Sequence, residues 1–199
     1  MAAPDPASPV HFHLRPESYR QFRFAQLLLA LDAAESLGRS LDLEKVAAVD
    51  FLAANPFLVF DPESDRGEEL QLLGFGMHSV SYASPGQRFA SRRGRISTDL
   101  AFLVATALAD VRIVDGFRTI SITPEGKRAA GELVSVYADA YRQSATLIVK
   151  EVAKLTPQGL YKKLEQWLQA DPILFDLVDT NLAGELVTES FPLWMETNE

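Results

Sequence analysis

The chain contains no cysteine, so disulfides, thiolate metal sites and cysteine nucleophiles are excluded together. Histidine is nearly as scarce, with three in 199 residues. His11 and His13 form a lone His-x-His near the N-terminus, and His78 is distant from both, so no metal and no cofactor is expected. Gly74-Phe75-Gly76 lacks the G-K-[ST] continuation of a phosphate loop, and no G-x-S-x-G nucleophile elbow occurs. These absences predict a protein that is not an enzyme. Long apolar runs are missing too. The most apolar stretch, Phe24 to Leu31, is far too short to span a bilayer and is followed by Asp32. Met1 to Pro9 holds three prolines and no basic residue, unlike a secretory leader. The expectation is a soluble, cytoplasmic protein with no membrane association.

Basic residues are absent after Lys163. The segment from Leu164 to Glu199 holds eight acids and no base, which accounts for the whole formal charge of −8 and leaves 19 acids against 19 bases before it. Charge blocks of this kind mark interaction surfaces or solvated tails.

The residues that remain predict a mainly α fold with a small β wing, namely a winged helix-turn-helix core with a helical C-terminal extension. Residues 1–16 read as a flexible tail, 17–155 as the winged-helix domain and 156–199 as an acidic helical extension. A first helix is expected from about Pro16 to Leu37, ended by Gly38. A second is expected over Leu41 to Ala54, capped by Ser40 and stopped at Asn55-Pro56. Residues 57–87 read as an irregular insertion between helices two and three, with a short strand near Leu70–Phe75. The third helix is expected from Ile96 or Ser97 to Ala109. Asp115-Gly116 between two β-prone runs predicts a two-residue hairpin that pairs Val114 with Phe117 and gathers Val111, Ile113, Ile120 and Ile122 on one face. Thr123-Pro124 opens a fourth helix expected to run unbroken to about Leu155, and a fifth follows from Pro157 to Gln169.

Four arginines, Arg88, Arg92, Arg93 and Arg95, crowd into the basic segment before the third helix. They are candidate contacts for a phosphate backbone or an acidic partner, with a solvated loop or a dock for the chain's own acidic tail as the plainer alternatives. The wing residues Asp115, Gly116, Phe117 and Arg118 form a second candidate surface. The third helix itself, from Ser97 to Asp110, contains no Arg, Lys, Asn or Gln and carries Asp99 and Asp110. Base-edge readout needs such donors, so this helix suits a protein surface better than a major groove. Asp50 is read as a hydrogen-bonded structural carboxylate. Phe175, Phe191 and Trp194, set among the C-terminal acids, either fold back on the core or dock on a partner.

Several stretches together resemble the middle component of bacterial ABC-three-component defence systems, a family related to the accessory C subunit of Lamassu systems. They are Leu41-Asp42-Leu43-Glu44-Lys45-Val46 leading to Asp50-Phe51-Leu52, Asn55-Pro56, the basic run Arg88 to Arg95, the hairpin, Thr123-Pro124-Glu125-Gly126, and Tyr137-Ala138 to Tyr141-Arg142. The resemblance spans about residues 20–150. It implies a non-catalytic winged-helix adaptor that joins an SMC-like ATPase to an effector protein such as a nuclease, in an anti-phage or anti-plasmid complex that meets DNA indirectly. The competing expectation is a winged-helix transcriptional regulator that uses the arginines and wing on phosphates. A small-molecule sensor built on residues 57–87 is a third.

Overall fold

The computed structural model describes residues 16–76, 84–114 and 116–168. The expectations placed on residues 1–15, on His78, on Asp115 and on the segment from residue 169 onward, with Phe175, Phe191 and Trp194, lie outside the described residues. Within them the protein is mainly helical, with one two-stranded antiparallel sheet. No described helix is long and apolar enough to cross a membrane.

Helix α1 spans Arg20–Ser36, after a short 3-10 turn at Pro16–Ser18. It ends as its sequence indicates. Gly38 takes a left-handed φ of +62°, and the N–H groups of Gly38 and Arg39 close onto the carbonyls of Glu35 and Ala34, each at 2.9 Å. Helix α2 spans Leu43–Ala54 and is capped by Asp42, whose carboxylate accepts from the Lys45 N–H at 2.9 Å. The expected Ser40 cap fails because Leu41 is held extended: its carbonyl accepts the Ile120 N–H at 2.8 Å, which fixes the helix start after it.

The expected insertion carries regular structure. A 3-10 turn at Pro56–Leu58 is followed by helix α3, Asp65–Leu72, whose last turn takes up the start of the short strand expected near Leu70–Phe75, and no strand forms there. Ser64 caps it through the Gly67 N–H at 3.1 Å, and Asp65 and Glu68 place negative charge against the helix N-terminus. Its Leu70 is fully buried.

Helix α4 spans Pro85–Ala105 and begins eleven or more residues before the expected start of the third helix. Ser84 and Gln87 form a reciprocal capping box around Pro85 at the first helical position. Pro85 and Gly86, which look like breakers, therefore start a helix.

Strands β1, Ala109–Val114, and β2, Phe117–Ile122, pair in the register that the turn dictates, Val114 with Phe117, Val111 with Ile120 and Ile113 with Arg118. Gly116 has φ of +82°, as its place in the turn requires. The four apolar residues share a face, but only its root is covered. Ile120 and Ile122 are buried, while Val111 is 49% and Ile113 76% exposed.

The long fourth helix is two helices, α5 over Pro124–Glu132 and α6 over Val136–Val152. Ser135 caps the second by accepting the Ala138 N–H at 3.0 Å. Helix α7, Pro157–Leu168, buries Leu160, Leu164 and Leu168 along one stripe. The core lies where α6 packs across α1 and α2, with α4 against the same two helices.

Thr123 and Gly126 pin α5 to the root of the hairpin. The Thr123 hydroxyl accepts the Gly126 N–H at 3.0 Å and donates to the Ala107 carbonyl at 2.6 Å. A Cβ built on Gly126 would stand 2.0 Å from the Leu108 carbonyl oxygen and 2.7 Å from Ile122. Backbone cannot yield as a flexible side chain does, so Gly126→Ala should lower stability by about 1–3 kcal/mol in urea denaturation. A change within error would show that α5 can slide away from Leu108.

Candidate functional site

The four arginines lie inside α4, and that placement decides what each can reach. The buried positions of α4 are Gly86, Phe89, Arg92, Ile96, Asp99, Leu100 and Leu103, which recur at helical spacing along one face. Arg92 therefore occupies a core position that an apolar residue would ordinarily fill, and it is only 8% exposed.

Its charge is matched there. The Arg92 guanidinium forms a two-pronged salt bridge with Asp50 of α2, through Nε to one carboxylate oxygen and through Nη2 to the other at 2.8 Å. Nη2 also donates to the Gln26 side-chain carbonyl of α1 at 2.5 Å. The Gln26 amide donates to the Tyr137 hydroxyl at 2.6 Å. On the other side of Asp50, the Tyr141 hydroxyl of α6 reaches the Asp50 backbone carbonyl at 3.2 Å and its carboxylate at 3.4 Å. One polar cluster thus joins α1, α2, α4 and α6 in the interior. Burial opposes the Arg92 charge, but Asp50 outweighs it through charge and hydrogen bonding, so the guanidinium is held protonated above its ordinary value. Burial first, then the Asp50 charge, pushes the Tyr141 phenol well above its usual pKa.

The neighbouring arginines are also engaged. Arg93 pairs through two bonds with Glu44, at 2.8 and 2.9 Å. Arg88 donates to the Asn55 side chain at 3.1 Å, and its guanidinium sits 5.7 Å from the centre of the Phe51 ring. Only Arg95 faces solvent without an acidic partner, bonded to the Ser91 carbonyl one turn back at 3.3 Å. The basic segment expected before the third helix is accordingly part of a helix whose charges turn mostly inward, and Arg92 is too deeply buried to meet a phosphate or a partner.

Asp99 departs from expectation in the same way. It is buried and paired with Arg23 of α1 at 2.6 and 2.9 Å, which raises the Arg23 pKa. The outer face of the C-terminal half of α4 is left with Ser97, Thr98, Ala101, Phe102, Val104 and Ala105, none of them charged. Phe102 is 44% exposed and stacks on Phe24 at 4.5 Å. On the hairpin, Gly116, Phe117 and Arg118 are all exposed.

A cleft of about 280 Å³ lies between the α3 region and the helices α6 and α7, lined by Val59, Phe60, Arg66, Glu151, Leu155, Lys163 and Trp167. Arg66 bridges it to Glu151 at 3.0 Å. Among the described residues, no group of three or more potential ligands could hold a metal ion. A Cβ built on Gly74 or Gly76 would meet nothing within 4 Å.

The buried cluster was the feature that sequence reasoning missed in part. Asp50 is a hydrogen-bonded structural carboxylate, as its place in α2 suggests, while its partner Arg92 lies 42 residues away in the sequence. The missed signal is Ser84-Pro85-Gly86-Gln87, a capping box that puts Arg92 in phase with Phe89 and Ile96. No protein-family model, curated protein or solved structure matches the chain.

Arg92→Met should destabilise the fold by about 3–5 kcal/mol, because it strands the Asp50 charge in the core. Adding Asp50→Leu should recover much of that loss, and a denaturant double-mutant cycle measures the coupling. Additive losses would mean that the two groups do not depend on each other. A separate pH effect follows from Tyr141. Its folded pKa is raised, so its contribution is complete below the ordinary value of 10.0 and is lost as pH rises beyond it. The urea midpoint should fall above pH 10 more steeply for the native chain than for Tyr141→Phe, and parallel profiles would count against burial of the phenol.

Proposed function

We propose that this chain is a non-catalytic, winged-helix adaptor subunit that binds proteins through α4 and its surroundings. The winged-helix reading is supported by the order α1, extended Leu41, α2, α3, α4, β1 and β2, with α3 as an added helix and Leu41 forming an isolated bridge to Ile120 of β2. The observation that carries the adaptor reading is the outer face of α4. Where a DNA reader presents donors to base edges, this helix presents Phe102, Val104 and small neutral residues, while the arginines at its start are held by Asp50, Glu44 and Asn55. Exposed apolar side chains flanked by neutral ones suit a protein contact.

Taken with the resemblance to the ABC-three-component and Lamassu accessory subunits, the partners are an SMC-like ATPase and an effector protein in a cytoplasmic anti-phage or anti-plasmid complex. Association with DNA then runs through the ATPase. A second reading, a DNA-binding regulator, rests on Arg95 and Arg118, both exposed on the side chains' own elements.

Co-expression with the products of the adjacent genes separates the two. The adaptor should co-purify with a neighbouring ATPase, and Val104→Glu should weaken that association by tenfold or more while leaving the fold intact, about the effect of one buried hot-spot residue. Failure to bind any neighbour, together with tight and steeply salt-dependent DNA binding in a mobility-shift titration, would replace the adaptor with the regulator.

A further inference from the structure

The hairpin has one edge that pairs with no strand among the described residues. The Ile120 N–H turns away from β1 to the Leu41 carbonyl at 2.8 Å, so Leu41 occupies the outer side of β2. The same bond shows that Val111 and Ile120 form a pair whose backbone polar groups point away from each other. The N–H and C=O of Val111 therefore point out from the free edge of β1, and no further strand pairs with that edge among the described residues. The side chains around it are exposed: Val111 at 49%, Ile113 at 76%. Natural edges are usually bent, covered or charged against such pairing.

We propose that this edge joins a second copy of the same chain, with Val111 of one copy pairing Val111 of the other across a twofold axis. The strand's own charges select that arrangement. With the axis at Val111, each Asp110 faces the other copy's Arg112, and each Arg112 the other's Asp110. Within one copy these side chains already lie on the same face, Arg112 Nε 3.2 Å from Asp110 Oδ2. The dimer would complete a square of four alternating charges. Moving the axis by one residue towards the tip would set Arg112 against Arg112, and moving it towards the root would set Asp110 against Asp110. Axes between residues would pair an outward-pointing backbone with an inward-pointing one and form no ladder. Like charges directly opposite are unfavourable in antiparallel strands, so the sequence rejects the neighbouring registers.

The opposite face gains as well. Val111 of each copy comes opposite Val111 of the other and diagonal to its Ile113, so that the half-exposed Val111 side chains cover one another. Self-complementarity of this kind is what a closed twofold interface requires, and it is the reason for choosing a second copy over a foreign strand. Ala109 is already buried, so pairing centres on Asp110–Arg112. The contact is short, and the association is weak and concentration-dependent.

Sedimentation of the full chain between about 10 µM and 1 mM should show a monomer passing to a dimer, as expected for an interface at the small end of the specific range. Asp110→Arg and Arg112→Asp should each weaken the dimer at least about tenfold, since each turns two attractive cross-strand pairs into repulsive ones. The double variant Asp110→Arg/Arg112→Asp should restore it. Circular dichroism of each variant reports whether the fold is kept, and Ile113→Lys, at a position 76% exposed, gives an independent way to break the contact. A chain that stays monomeric throughout, a dimer indifferent to either charge reversal, or a double variant that fails to recover would each overturn the proposal.

Discussion

The pairing of Arg92 with Asp50 is the constraint on which the rest of this fold depends. A guanidinium in the interior is costly unless its donors are matched, and an isolated carboxylate there is costlier still. Here α2 supplies the carboxylate in the two-pronged geometry that arginine favours, α1 supplies Gln26, and α6 supplies Tyr141 against the backbone of Asp50. Hydrophobic contacts could be met by several rotations of α4 against α1 and α2. The polar cluster permits one, because a slip of a single turn would strand two charges. It sets the orientation of α4, and through it the uncharged face that α4 turns outward.

That orientation also explains which features could be read from the residues alone. The hairpin register followed from Asp115-Gly116 and the alternation on either side, because a two-residue turn leaves no freedom to slip. The end of α1 at Gly38 and the start of α5 at Thr123-Pro124 were legible for similar local reasons. The start of α4 was harder, since Pro85 and Gly86 signal a break unless Ser84 and Gln87 are seen to cap around them. The gap between α5 and α6 has no proline, and Gly131 in the last turn of α5 is an ambiguous signal beside it. Leu133, Val136 and Tyr137 recur at helical spacing across it, yet Val136 is left exposed, and the Ser135 cap marks the new helix. The ion pairs were the least legible of all. Asp50 and Arg92 are 42 residues apart, and Arg23 and Asp99 are 76 apart, so nothing local couples them.

The same long-range pairs reshape the electrostatic reading of the surface. Arg23, Arg66, Arg92, Arg93, Arg112, Lys127, Arg128 and Arg142 each lie within a salt bridge to an acid of this chain. Exposed pairs of this kind contribute little to stability, but they cancel one another's field at a distance. Affinity for nucleic acid depends on cations free to displace counterions from phosphates, and long-range steering depends on an uncancelled field. With eight of its 19 bases paired in this way, the positive field that the protein projects is reduced. The C-terminal half of α4 and the edge of β1 present short-range features, apolar side chains and an open strand edge, that act only once two surfaces are already in register. Recognition by shape and burial is the mode that such a surface supports, and it is the mode by which one protein holds another.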